Sequence, residues 1–507
     1  RQRQIGIRDR NIRPINVKRN GPKDDIPYMD YWFELTKDEF KDDDLFDQNE
    51  KIKIKQASFE AIVKALEIYN LSTTSDDVKG IAFEKFLGKT FRGELGQFFT
   101  PRTVVDYMVE VLDPQEGETV CDPCCGSGGF LIKAFEYVRS KIENEIKEAK
   151  DKIKLKYYTD EYYNASKEEQ EKIDQKVNDQ FTLLNSELDI LNPESRLRRL
   201  SYDCIYGTDA NPRMARTAKM NMIMHGDGHG GVHHHDGLLN VNGIFDGRFD
   251  IILTNPPFGA RVEKSLKITE QDKYTDTKRI AKYKERYGDE YTKALKQIND
   301  NIGKAVLSLF DTGKMSSLTE VLFIERCIDL LKPGGRMGIV LPEGVLNNTK
   351  LQKVRDYVEG KAKIVNITSI PQDVFIASGA TVKPSLLFFK KFTEDEAKHY
   401  ATILKTAKAN AKNEHGKEIA ELQEKIKTRG LDKEEKKELR EKLKQVQQQM
   451  ADEIKLELKT NFDYEIPIVE VEKAGISTTG AKIENELEPV AKEFTKYRIE
   501  NQLWNEN

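Results

Sequence analysis

The sequence predicts a doubly wound α/β sheet, preceded by a helical N-terminal segment and followed by a helical C-terminal tail. Two observations carry this. From about residue 96 to 392, short apolar runs bounded by Gly, Pro or Asp alternate with stretches of helical spacing, the pattern of βαβ units and a mainly parallel sheet. Outside that window the periodicity is helical only, and charged residues crowd in.

Residues 1–50 read as irregular. Arg1 to Arg19 hold seven basic residues against one Asp, and Pro14, Pro22 and Pro27 punctuate the stretch. A solvated linker is the preferred reading, ahead of a phosphate-contacting arm. Helical spacing begins near Ile52 and runs through Phe59, Ile62, Val63, Leu66 and Ile68, and a second helix follows the Ser75-Asp76-Asp77 cap region. Residues 1–95 thus form a basic arm and helical region. Because the first residue is Arg1 rather than Met, this region is expected to be truncated at its start.

Within 96–392 the expected strands are Thr119–Cys121, Cys204–Tyr206, Phe249–Leu253, Arg336–Leu341, Ile364–Ile370 and Ser385–Phe389, with charged helical inserts at 139–200 and 261–315. In the tail, 393–507, Ile419, Leu422 and Ile426 precede Gly430. Asp432 with Glu435 forms an N-cap and its reciprocal acid, and Leu439, Leu443, Val446, Met450, Ile454 and Leu458 resume helical spacing. That is a helical hairpin with a narrow apolar seam, able to pack on itself or on another chain's helices.

Composition bounds the function. The 507 residues carry 82 Lys+Arg against 86 Asp+Glu, a net charge of -4. Balanced charge argues against a disordered polyanion and against a wholesale basic nucleic-acid coat, so contact with DNA would use a local patch or a partner. Five scattered cysteines suit a reducing compartment. No run approaches the ~18 apolar residues of a membrane span and no signal peptide opens the chain, so a cytoplasmic protein without membrane contact is expected.

Three segments carry chemistry. In Val120 to Phe130 a strand ends on Asp122, and a turn containing Gly126, Ser127, Gly128 and Gly129 opens a helix. Glycines admit close approach of a ligand, and the helix start offers unpaired N–H groups. The segment lacks a P-loop Lys, and its strand-end acid suits an amino-bearing cofactor better than a triphosphate. Cys121 and Cys124 have metal-ligand spacing but no second pair, so ordinary buried thiols are expected. In Ile205 to Asp209 a strand ends in a carboxylate able to accept ribose hydroxyls, far enough from the glycines to require an insert between them. In Phe249 to Gly259 an apolar strand delivers Asn255-Pro256-Pro257-Phe258 at its carboxyl end. The Asn oxygen and a Pro carbonyl can accept hydrogen bonds from a planar exocyclic amine, leaving its lone pair nucleophilic, while Phe258 offers a stacking face.

With these residues in view, the sequence resembles the N6-adenine DNA methyltransferases, specifically the modification subunit of type I restriction systems. Gly96-Gln97-Phe98-Phe99-Thr100-Pro101-Arg102 is similar to that family's cofactor-clamping segment, and Asp122–Phe130 to its S-adenosylmethionine loop. Asp209-Ala210-Asn211-Pro212, with Met220-Asn221-Met222 and His225-Gly226, is similar to its ribose-binding strand and following helix. Leu331 to Arg336 and Leu341 to Leu346 match a later strand pair, and the match spans roughly 96–392.

The resemblance implies an S-adenosylmethionine-dependent methyltransferase sheet that methylates a flipped adenine in double-stranded DNA, in a prokaryotic, nucleoid-associated setting. It implies cofactor contacts from Gln97, Phe99, Thr100, Pro101, Asp122, Gly126, Ser127, Gly128, Asp209 and Asp236, and catalysis by Asn255, Pro256, Pro257 and Phe258. Specificity and endonuclease subunits are the implied partners. Five of the seven histidines crowd into 225–235, which alone suggests a metal, but the family carries histidines before a turn acid here, and no metal is expected.

Residues 139–194 hold ten basic and fourteen acidic side chains and read as a protein-contact arm. Residues 261–304 hold twelve basic and eight acidic ones and are a candidate DNA lining through Lys278, Arg279 and Lys282. The alternatives are the modification half of a fused restriction enzyme, an RNA-guanine or protein-glutamine methyltransferase using the same Asn-Pro-Pro-Phe site, and a non-catalytic binding module.

Overall fold

The computed structural model describes residues 28–41, 45–46, 49–66, 68–69, 82, 100–227, 231–376, 382–428 and 432–504. The basic arm, nearly all of the helix expected after Ser75, Gln97, Phe99 and His229 lie outside the described residues.

In chain order the strands are β1 Val120–Asp122, β2 Ile205–Asp209, β3 Val232–His234, β4 Phe249–Thr254, β5 Leu331–Pro342, β6 Ala362–Ser369, β7 Pro384–Lys391, β8 Ile468–Glu470, β9 Ala474–Ile476 and β10 Lys482–Asn485. The helices of eight residues or more are α1 Tyr28–Glu39, α2 Gln56–Leu66, α3 Arg102–Leu112, α4 Gly129–Tyr157, α5 Lys167–Ser186, α6 Pro212–Met224, α7 Thr277–Asn299, α8 Thr319–Leu330, α9 Gln352–Glu359, α10 Glu394–Lys427, α11 Lys433–Asn461 and α12 Leu487–Glu500.

Eight strands make one sheet in the order β3-β2-β1-β4-β5-β7-β6-β8, and β9 and β10 pair separately. The pairs from β3 to β5 are parallel, while β7 runs antiparallel between β5 and β6. All six expected strands form. Period-2 alternation assigns their side chains to two faces. Val120, Ile251, Leu253, Leu386 and Phe388 face α3, α4, α6 and α12 in one core. Cys121, Ile252, Ile339, Leu387 and Phe389 face α8 and α9 in the other. With both faces covered, β4 is buried almost throughout, which is why it reads as a continuous apolar run.

The chain winds to opposite sides of β1, through β2 and β3 one way and β4 and β5 the other. The reversal opens a crevice at the carboxyl ends of β1 and β4, where open α/β sheets bind ligands.

Both inserts are helical. The first half of α4 packs on the core through Phe130, Phe135 and Ile142, the stretch after Ile146 continues outward, and α5 returns along it from a Ser166–Glu169 capping box. In α7, Tyr283, Tyr287 and Tyr291 recur every fourth residue and turn inward around Phe245 and Arg248. Lys278 and Lys282 on the same helix are exposed.

The tail contains more than helix. α10 and α11 form the expected hairpin, capped at Asp432 as expected, and its seam closes on itself through Ala407, Ala411, Leu422 and Val446. Beyond it the chain returns to the body. β8 extends the sheet beside β6, and α12 packs on α3 with Arg498 paired to Asp113 at 2.9 Å.

Candidate active site

Asp122 ends β1 with its side chain inside the protein, 2% exposed. Its Oδ1 accepts hydrogen bonds from Thr254 Oγ1 at 2.6 Å and from the Cys124 amide at 3.0 Å. Thr254 is the last residue of β4, so this carboxylate ties the two strand ends that flank the crevice. Burial is the main influence on Asp122 and outweighs both hydrogen bonds, while the nearby negative Asp209 adds to it. Together they raise the carboxyl to about 7.

The glycine turn follows. Gly126 and Gly128 have φ of 54° and 86°, left-handed values that other residues adopt at a cost. The Gly126 amide donates to Asp209 Oδ2 at 3.0 Å, and the Asn211 amide to Asp209 Oδ1 at 2.8 Å. Asp209, at the end of β2, thus fixes the turn and keeps spare lone pairs on both oxygens, and burial raises its pKa. From α6, Asn221 Nδ2 donates to the Ser127 carbonyl at 3.0 Å. The turn is thereby pinned from β2 and α6 before α4 begins.

Asn255 leaves β4 immediately after Thr254. Its Nδ2 donates to Thr100 Oγ1 at 2.9 Å, and its Oδ1 is buried with no hydrogen-bond partner. Thr100, Val105, Asp122, Cys124, Cys125, Gly126, Ser127, Gly129, Phe130 and Asn255 line one cleft of about 410 Å³, its open mouth included. Pro256 is buried, Pro257 is exposed, and Phe258 is half-buried against the core on the α3 and α4 side. The loop's far end is anchored where the Gly259 amide reaches the buried Glu320 carboxylate of α8 at 3.2 Å.

The cleft gathers Thr100, Asp122, Gly126, Ser127 and Asn255, with Asp209 directly behind Gly126. Gly128 caps the start of α4, and buried Pro101 precedes α3. Asp236 stands after β3 outside the cleft lining, and its carboxylate caps its own turn at the Leu238 amide, 3.0 Å away. Gly237, next to it, packs so tightly that a Cβ there would collide with the Pro123 carbonyl oxygen. Buried Arg326 holds the same turn through the carbonyls of Gly237 and Leu239.

Sequence reasoning missed Thr254, Glu320 and Arg326 as supports. Thr254 alone left a signal, a hydroxyl at the carboxyl end of an otherwise apolar strand. The cysteines Cys121, Cys124 and Cys125 are free thiols whose burial pushes their pKa values up.

The histidine run disperses. His225 Nδ1 bonds to the Asn221 carbonyl oxygen, His233 to Asn242, and His234 to the Ala210 carbonyl oxygen. Among the described residues, the group able to close on a metal ion lies elsewhere, at Glu414, His415 and Glu453 in the hairpin. There His415 Nε2 is 2.6 Å from Glu453 Oε2.

The donor set fits S-adenosylmethionine: a buried carboxyl for an ammonium, a second strand-end carboxylate with free lone pairs for ribose hydroxyls, and a glycine turn that leaves room for backbone contact. Among the described residues, no helix is long and apolar enough to cross a membrane.

The chain is similar to known proteins. The N-6 DNA Methylase family profile matches residues 74–168, 196–311 and 287–470. The EcoEI type I restriction enzyme methylase subunit of Escherichia coli is 25% identical over 301 residues, 59% of this chain and 43% of that protein. The StySJI methylase subunit of Salmonella typhimurium is 25% identical over 338 residues, 65% of this chain and 47% of that one. The MjaIX methylase subunit of Methanocaldococcus jannaschii is 26% identical over 341 residues, 66% and 44% respectively. The chain therefore spans less than half the length of these curated relatives.

Proposed function

This chain belongs to the N-6 DNA methylase family, and we propose that it methylates adenine N6 in DNA as the modification subunit of a type I restriction-modification system. The observation that carries the proposal is the Asn255 Oδ1 acceptor, buried and unpartnered beside the glycine turn at the sheet's switch point. A buried acceptor left without a partner costs roughly 1–3 kcal/mol, and a donor brought into the cleft by an amine substrate would recover it.

When bound, S-adenosylmethionine supplies an electrophilic methyl group. Asp122, Asp209 and the turn 126–128 would hold it, with Gln97, Phe99, Pro101 and Asp236 assigned to the same task by family resemblance. Adenine N6 is inaccessible in a stacked duplex, so the base must leave the stack to be methylated. Asn255 Oδ1 and the Pro256 carbonyl would accept the two N6 hydrogens. Those bonds localise the nitrogen lone pair and aim it. Phe258 would stack on the extruded base, and Glu320, gripping Gly259, keeps that loop in register. The work of these residues is orientation and hydrogen bonding.

Exposed Lys278 and Lys282 on α7 are the proposed DNA-facing cations. Arg279 is less available for this role, because it is half-buried with its Nε 3.7 Å from Asp276. We further propose that target reading and cleavage fall to separate specificity and endonuclease subunits, with the α10–α11 hairpin as a subunit contact.

The test is Asn255→Ala. Methyl transfer to DNA should fall by at least ~10²–10³-fold, the usual effect of losing a preorganised polar contact in a transition state. Cofactor binding, read by calorimetry, should stay close to wild type. An Asn255→Ala enzyme as fast as wild type would refute the assignment.

A further inference from the structure

The carboxamide of Asn255 has two ends of nearly equal shape, and only one suits an amine substrate. Its oxygen accepts a hydrogen bond, whereas its NH2 would set donor against donor. The structure turns Nδ2 toward Thr100 Oγ1 at 2.9 Å and leaves Oδ1 unpartnered. Thr100 is placed by the helix that follows it. It immediately precedes Pro101, whose carbonyl accepts from the amides of Val104 and Val105 to start α3, and α3 is anchored in the core through Val104 and Met108.

We propose that Thr100 is a positioning residue for Asn255: its hydroxyl oxygen holds the amide nitrogen, so that Oδ1 faces the exocyclic amine. This rests on the reading of the site as an amine methyltransferase, and it gives Thr100 a task other than the cofactor clamping expected from the sequence. The hydroxyl oxygen accepts from Nδ2, so the nitrogen stays satisfied while the oxygen is engaged by substrate. A methyl group in its place leaves the amide protons without an acceptor in the productive orientation.

Thr100→Val, Thr100→Ala and Thr100→Ser in the full chain, assayed with its partner subunits, test this. Val and Ala should slow single-turnover methylation by about 10- to 100-fold, the rate equivalent of a buried donor left unsatisfied. S-adenosylmethionine affinity should change by less than about threefold, and Ser should restore the rate, separating a transition-state effect from ground-state binding. In ¹⁵N-asparagine-labelled protein, the Asn255 side-chain amide resonance should shift in Thr100→Val and return in Thr100→Ser.

A loss of cofactor affinity that matches the loss of rate would overturn the inference and restore Thr100 to the clamp. So would a Thr100→Val enzyme at wild-type speed, or an unmoved amide resonance. If the wild-type chain methylates no amine substrate, the proposed function fails by itself. The titration and the resonance then still decide whether Thr100 is tied to Asn255 or to the cofactor.

Discussion

Asp122 shows how one buried side chain can set the pH behaviour of the site. In the unfolded chain it ionises near its ordinary 3.8, whereas in the fold burial keeps the proton on up to about 7. The fold therefore favours the protonated form. This contribution to stability is complete below the unfolded value and is lost as pH rises through the folded one. Thermal melts between pH 4.5 and 8 should show wild type losing stability relative to Asp122→Asn as pH rises toward 7. An ammonium ligand favours the ionised carboxylate, so cofactor affinity should climb up to about tenfold per pH unit below 7 and then level off. Parallel melting curves for the two proteins would contradict this.

At the same scale, legibility followed chemistry that is contiguous in sequence. Asp122, Gly126, Asp209 and Asn255 sit within short motifs and could be named from the sequence. Thr254, Glu320 and Arg326 act across distances of 132, 61 and 89 residues, on Asp122, Gly259 and Gly237, and only folding brings them to their partners. Asp236 was read as a cofactor contact; its Oδ1 accepts from the Leu238 amide in its own turn, which leaves further lone pairs on the carboxylate.

Among the elements, the six strands with continuous apolar runs were legible because both faces of the sheet are covered. β3 was not. It has three residues, two of them histidines, and it is a strand because parallel pairing with β2 places Val232 opposite Gly207. β8 escaped for a related reason, since its three residues take their register only from β6, about a hundred residues earlier. The 261–315 insert was legible in charge but not in orientation. Its helix α7 turns a tyrosine stripe inward, which leaves Lys278 and Lys282 facing solvent. Reversing both to Glu should weaken DNA binding and reduce the salt-dependence slope by about 2, at roughly 0.9 per lost phosphate contact. Unchanged affinity and slope would assign α7 a purely structural role. Thermal stability should hardly change, because neither lysine is packed.

For the molecule as a whole, the near balance of charge takes on a clearer meaning. The mixed sheet and its two cores are apolar, and the lysines and carboxylates concentrate in α4, α5, α7 and the α10–α11 hairpin. Under the proposed function, in which α7 faces DNA and another subunit selects the sequence, an overall basic surface is not required. That division of labour depends on the proposed chemistry at Asn255, and the position of the transferred methyl group tests it most directly. DNA methylated in vitro by the chain with its partner subunits and S-adenosylmethionine would be digested to nucleosides and analysed by mass spectrometry. N6-methyladenine from wild type, and none from Asn255→Ala, is the expected result. A methyl group on cytosine, no methylated nucleoside from wild type, or equal N6-methyladenine from the variant, would contradict the account.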